Sequence, residues 1–238
     1  MQTHALSAIS RMLDNAARDA DRPPLRLLAV SKTQPAAAVA ALAALGQRAF
    51  GENYVQEAAA KQAELGHADA TTGLEWHLIG HLQSNKAREA AALFDWVQTV
   101  DRAKLVAALA RHRDPARGPL NVLVQVNIDD EASKHGCRPD EVEALASAIA
   151  NEPMLRLRGL MVIPTPHDDP ELGRPAFRRS CALFDKLREH HPGVDTLSMG
   201  MSSDAAVAVA EGATMVRIGT ALFGAREASP DAPSYTGR

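Results

Sequence analysis

With 238 residues, 46% of them hydrophobic and 23% charged, the chain can bury one sizeable core and has the usual length of a single α/β barrel. A formal charge of −3 without a Lys/Arg run, and only 4% aromatic residues, argue against nucleic acid or an anionic membrane as partner. No apolar stretch approaches the roughly 20 residues that span a bilayer, and the polar opening over residues 1–21 lacks the apolar core and cleavage site of a secretory leader.

In chain order, a helical pattern over 3–20 comes first. Short apolar runs then alternate with alanine-rich stretches of helical period. Strands are predicted at 25–30, 48–51, 75–80, 96–100, 120–128, 157–163, 196–200 and 215–218. Helices are predicted at 35–45, 54–65, 84–93, 102–112, 139–150, 175–190, 203–211 and 220–224. The run Asn-Val-Leu-Val-Gln-Val-Asn-Ile over 121–128 has the continuous aliphatic character of a parallel strand buried on both faces. Pro35 suits a first helical position, Asp101 and Ser203 suit N-caps, and Pro139 opens a helix rich in early glutamates. Eight such units predict an α/β fold of (β/α)8 type with an extra N-terminal helix. An open doubly wound sheet would show a glycine-rich turn after its first strand, where this chain has Ser31-Lys32-Thr33-Gln34-Pro35. One domain is expected over 1–226, followed by a loose tail over 227–238. Cys137 and Cys181 have no metal-ligand spacing and are expected to be reduced thiols in a cytoplasmic protein.

Working residues of such barrels sit at the C-terminal ends of strands, and phosphates commonly bind in the loops after strands seven and eight. The predicted order puts Ser202 and Ser203 after strand seven and Gly219 and Thr220 after strand eight. Closure makes strand eight the neighbour of strand one, which ends at Lys32. A lysine amine can form an imine with an aldehyde, and small-residue turns entering helices can hold a phosphate. Pyridoxal 5′-phosphate carries both groups. Partial burial and the cation of Arg217 are expected to lower the pKa of Lys32, since an amine near 10.4 is mostly protonated at pH 7. Asn53 is read either as a donor to the phenolic oxygen of such a ligand or as the cap of the helix starting at Tyr54. His77 and His81 flank the end of strand three and are read as structural. Lys86 and Lys134 are read as solvated charges.

The segments Ala29-Val30-Ser31-Lys32-Thr33, Phe50-Gly51-Glu52-Asn53-Tyr54-Val55-Gln56-Glu57, Trp76-His77-Leu78-Ile79-Gly80-His81-Leu82-Gln83-Ser84-Asn85-Lys86, Ser198-Met199-Gly200-Met201-Ser202-Ser203-Asp204 and Val216-Arg217-Ile218-Gly219-Thr220-Ala221-Leu222-Phe223-Gly224 carry a resemblance. They resemble the pyridoxal phosphate homeostasis protein family, whose members are similar to the N-terminal barrel of alanine racemase. The resemblance spans essentially the whole chain. It implies that Lys32 is the Schiff-base lysine, that Ser202, Gly219 and Thr220 surround the cofactor phosphate, and that Arg217 lies near the pyridine nitrogen. A guanidinium there donates and leaves that nitrogen unprotonated, so the ring is a weak electron sink. The expected function is storage, buffering or delivery of the cofactor by a monomer, with apo-enzymes that use pyridoxal 5′-phosphate as recipients. The alternative is an amino-acid enzyme of alanine racemase type. Against it stand the missing further β-domain and the lack of an opposite-face base, since Tyr54 and Tyr235 are the only tyrosines.

Overall fold

The computed structural model describes residues 2–66, 71–131 and 134–224. Its strands are β1 (Arg26–Val30), β2 (Ala49–Glu52), β3 (Glu75–Leu78), β4 (Trp96–Val100), β5 (Leu120–Val126), β6 (Leu155–Val162), β7 (Thr196–Ser198) and β8 (Met215–Ile218). All pair in parallel with their sequence neighbours, and β8 pairs with β1 to close the barrel, Leu27 facing Val216 and Ala29 facing Ile218. Around it lie α1 (Gln2–Asp19), α2 (Ala36–Ala44), α3 (Val55–Leu65), α4 (Ala87–Leu93), α5 (Ala103–His112), α6 (Val142–Ala150), α7 (Arg174–His190), α8 (Ala205–Ala210) and α9 (Thr220–Phe223). The helix α1 is the predicted extra one, and it buries Ile9, Leu13 and Ala17. The predicted tail over 227–238 lies outside the described residues. No helix among the described residues is long and apolar enough to cross a membrane.

Several boundaries differ from expectation for local reasons. Strand β3 stops at Leu78, because the next turn crosses the backbone after β2: a Cβ on Gly80 would lie 2.1 Å from the carbonyl oxygen of Asn53. Strand β5 stops at Val126, where the Asn127 side chain exchanges hydrogen bonds with the backbone of Glu131. Strand β6 starts two residues early, at Leu155. Asp101 and Ser203 are not the caps they were expected to be. Asp101 is held by Arg102, which occupies the cap position of α5, and Asp204 takes that position at α8. Pro139 opens a 3-10 turn that leads into α6 rather than α6 itself.

The helices cover the outer face of the barrel in one continuous apolar core. Inside, Trp96 stacks on His77 and lies beneath the guanidinium of Arg158, 4.6 Å from its ring centre, with Arg26 at 5.4 Å. These groups close the N-terminal end of the barrel, so a ligand enters from the other end, where Lys32 emerges.

Candidate cofactor site at the barrel mouth

The turn Ser31-Lys32-Thr33 is held from below by a buried charged cluster. Ser31 Oγ donates to Glu52 Oε1 at 2.6 Å. Lys61 Nζ, from α3, donates to the Ser31 carbonyl at 2.6 Å and to Glu52 and Glu57 at 2.8 Å each. The amide of Thr33, a residue at φ 63°, donates to the same Glu57 carboxylate. Burial pushes the Glu52 carboxyl up, against the pull of Lys61. The turn is therefore gripped on both sides of Lys32, whose own side chain is exposed rather than partly buried as expected. Sequence reasoning missed Ser31, Glu52, Glu57 and Lys61. The available signal was an acidic residue inside an apolar strand and a Glu/Lys pair spaced i,i+4.

A cavity of about 60 Å³ is lined by Val30, Lys32, Thr33, Gln34, Gly219, Thr220 and Gly224. Lys32 and the turn after β8 thus share one concavity although nearly the whole chain separates them. Gly219 forms its close wall, since a Cβ there would sit 3.3 Å from the Val30 carbonyl oxygen. Ser202 and Ser203 lie in the neighbouring turn before α8, exposed and outside the lining of this cavity. The glycine at 200 is required by packing: it sits at φ 89°, and a Cβ would come within 2.5 Å of Ala208. Asn53 is half-buried, and α3 is capped at Tyr54 with no side-chain hydrogen bond, so Asn53 is not the cap. A larger hollow of about 720 Å³ lies between α1 and α8, lined mainly by alanines with Arg11, Met12, Asn15 and Asp19, and shares no lining residue with the Lys32 cavity.

Arg217 is buried inside the barrel, where Asp204 is the carboxylate whose charge acts on it. Nη1 donates to the Ser198 carbonyl (2.8 Å) and Oγ (2.9 Å), and Nη2 donates to the Val162 carbonyl (2.9 Å). Burial lowers its pKa to about 10, which leaves it charged at pH 7. From Ser198 a polar chain crosses the barrel. Ser198 Oγ donates to Gln98 Oε1 at 2.7 Å, and Gln98 Nε2 bonds His77 Nδ1 at 2.9 Å. His77 Nε2 meets Glu75 Oε1 at 2.7 Å. Because burial depresses the His77 pKa, the ring is neutral, and a proton on Nε2 lets every link donate in one direction, from Arg217 to Glu75. His77 is structural, as expected.

Burial raises the Glu75 carboxyl, but the His77 hydrogen bond, the charge that His77 takes on when protonated in acid, and Arg26 outweigh it and hold it down at about 2. A depressed carboxylate contributes stability above its unfolded pKa, 4.5, that is lost as pH falls through the folded value. Glu75→Gln should therefore lower Tm at pH 7, with the gap to the parent narrowing between pH 4.5 and 2. Thermal melts across that range give the answer, and a gap independent of pH would refute the assignment.

His81 is exposed on the rim of the mouth. Lys86 pairs with Glu89, and Lys134 with Asp129, Glu131 and the Thr165 hydroxyl, so each is engaged by its own neighbours. Cys137 and Cys181 are free, and burial pushes the Cys137 thiol up to about 12.

Comparison with known proteins follows the same lines. The alanine racemase N-terminal domain family matches residues 5–227. The pyridoxal phosphate homeostasis protein of Pseudomonas aeruginosa is 51% identical over 224 residues, covering 93% of this chain and 94% of its own length. The chain belongs to the pyridoxal phosphate homeostasis protein family. The Escherichia coli K12 member of that family is 48% identical over 231 residues, 95% of this chain and 97% of its own. Among solved structures, PipY of Synechococcus elongatus with pyridoxal phosphate bound has a TM-score of 0.79 at 37% identity, covering 94% of this chain and all of that one. An alanine racemase from Corynebacterium glutamicum shares only the fold with the family's barrel, at TM-score 0.65 and 20% identity; the alignment covers 96% of this chain and 63% of that one.

Proposed function

We propose that this chain holds pyridoxal 5′-phosphate at the barrel mouth, linked to Lys32, and serves intracellular homeostasis of the cofactor without turning over a substrate. The observation that carries the reading is the single cavity shared by Lys32, Gly219 and Thr220. The cofactor supplies an aldehyde that an amine captures reversibly. Lys61 and Glu57 fix the turn from which the Lys32 amine reaches it. Thr220 and the first amides of α9 would hold the phosphate, with Ser202 and Ser203 of the neighbouring turn as further donors and Asn53 as a donor to the phenolic oxygen. Arg217 spends three of its five N–H groups on the Ser198 carbonyl and hydroxyl and the Val162 carbonyl, and one of the remaining two would donate to the pyridine nitrogen. As a permanent donor it leaves that nitrogen unprotonated, which favours holding the cofactor over carbanion chemistry. The protein works in this reading as a cytoplasmic monomer that passes its cofactor to apo-enzymes.

Borohydride reduction followed by peptide mass mapping should place the pyridoxyl group on Lys32. A label mainly on Lys86 or Lys134 would overturn the assignment. Thr220→Val removes one hydrogen bond and should weaken cofactor binding by about 1 kcal/mol. Gly219→Leu should expel the cofactor, because its side chain must either press on Val30 or fill the cavity. Equal cofactor content in Gly219→Leu and the parent, read from absorbance after desalting, would place the phosphate elsewhere.

A further inference from the structure

We infer that His81, Asp101 and His135 form a binding site for one divalent transition-metal ion on the rim of the barrel mouth. They come from the loops after β3, β4 and β5. In the closed strand order those strands lie across the barrel from β7, β8 and β1, which carry the candidate cofactor site. One ligand atom of each residue lies within 4.8 Å of those of the other two. The two imidazoles stack with ring centres 3.9 Å apart, and His81 Nδ1 faces Asp101 Oδ2 at 3.9 Å.

The backbone holds all three in place. Thr99 Oγ1 donates to the Gly80 carbonyl at 2.9 Å and Arg102 Nη2 to the Leu82 carbonyl at 3.0 Å, so the peptide just before His81 and the one after Leu82 are tied down. Arg102 Nη1 also donates to Asp101 Oδ1 at 2.5 Å, which orients the carboxylate and leaves Oδ2 towards His81. This is the outer-shell support that metal-binding carboxylates commonly have. After β5, Gly136 presses the chain against the strand end, where a Cβ would come within 2.6 Å of the Asn127 amide; this sets His135 on the rim.

The donor set decides the class of ion. Calcium and magnesium want six or more oxygens, whereas two imidazole nitrogens and one carboxylate suit zinc, cobalt, nickel or copper. Bond lengths of about 2.0–2.2 Å put tetrahedral ligand atoms about 3.3 Å apart. Rotation of the exposed His81 and His135 rings supplies the contraction. Three protein ligands leave a fourth position open to water or to an incoming carboxylate.

The test is titration of tag-free, full-length protein with Co²⁺, followed by visible absorbance, with Zn²⁺ competition by calorimetry. One ion per chain is expected, with d–d bands of four- or five-coordinate cobalt, whether or not pyridoxal phosphate is present. His81→Ala and His135→Ala should each weaken binding at least about tenfold while circular dichroism stays unchanged. His190→Ala and His191→Ala, which alter the other histidine pair near a carboxylate, Glu143, should bind as the parent does. Parental affinity in both rim variants, a loss confined to the His190 and His191 variants, or no cobalt spectrum would each overturn the proposal.

Discussion

Lys32→Ala protein should retain no borohydride-fixable pyridoxal phosphate after gel filtration and should lose the visible absorbance of the loaded parent. The proposed phosphate contacts and Arg217 remain in the variant, but the proposed link that makes the aldehyde nearly intramolecular is gone. A fall in affinity of at least about 100-fold, roughly 2.8 kcal/mol, is expected. Lys32 is exposed, and its turn is gripped through Ser31 and Thr33 rather than through its own side chain. The unliganded variant should therefore melt as the parent does, within about 0.5 kcal/mol. Parental amounts of reducible cofactor in Lys32→Ala would remove this residue from the account.

Lys61→Met should be the most destabilising change near the site. It leaves the Glu52 carboxylate, fully buried and with Oε2 already lacking a hydrogen-bond partner, without its cation, and it frees the Ser31 carbonyl. Breaking a buried pair from one side costs about 3–5 kcal/mol, which for a chain of this size lowers Tm by about 6–20 °C. The pH dependence has a definite sign. Burial already raises the Glu52 carboxyl, and loss of Lys61 raises it further. A raised carboxyl contributes stability below its unfolded pKa, 4.5, that is lost as pH rises through the folded value, so the defect should be worst at neutral pH and shrink on acidification. Glu52→Gln combined with Lys61→Met should recover part of the loss at pH 7. A defect as large at pH 4 as at pH 7 would show that the cost is packing, not charge.

Much of the architecture was legible in the chain because every strand of a parallel barrel is buried on both faces and reads as an unbroken apolar run between amphipathic helices. The same burial concealed the inner polar chain. His77, Gln98 and Ser198 sit inside apolar strands, and no period-two pattern marks which of their neighbours face inward when both faces are covered. Glu52 and Lys61 were hidden for a related reason, since a pair can be recognised only once α3 is docked on the end of β2. Lys32, Gly219, Thr220 and Arg217 stood out because strand order alone brings the two ends of the chain together. The exposure of Lys32 was not legible, because it depends on the left-handed turn at Thr33 and on Glu57. Strand ends failed where a side chain or a close backbone approach ended pairing early, as at Asn127 and Gly80.

In the proposed reading, the choice of carrying the cofactor over catalysing with it turns on Arg217, which would donate to the ring nitrogen without protonating it. The direct test is incubation of cofactor-loaded protein with L-alanine in deuterated water, in parallel with transfer of its pyridoxal phosphate to an apo-enzyme. Complete activation of the acceptor, with alanine keeping its α-proton and its handedness over hours, is the predicted result. Deuteration and racemisation at an ordinary enzymic rate, about 1–1000 per second, would contradict it.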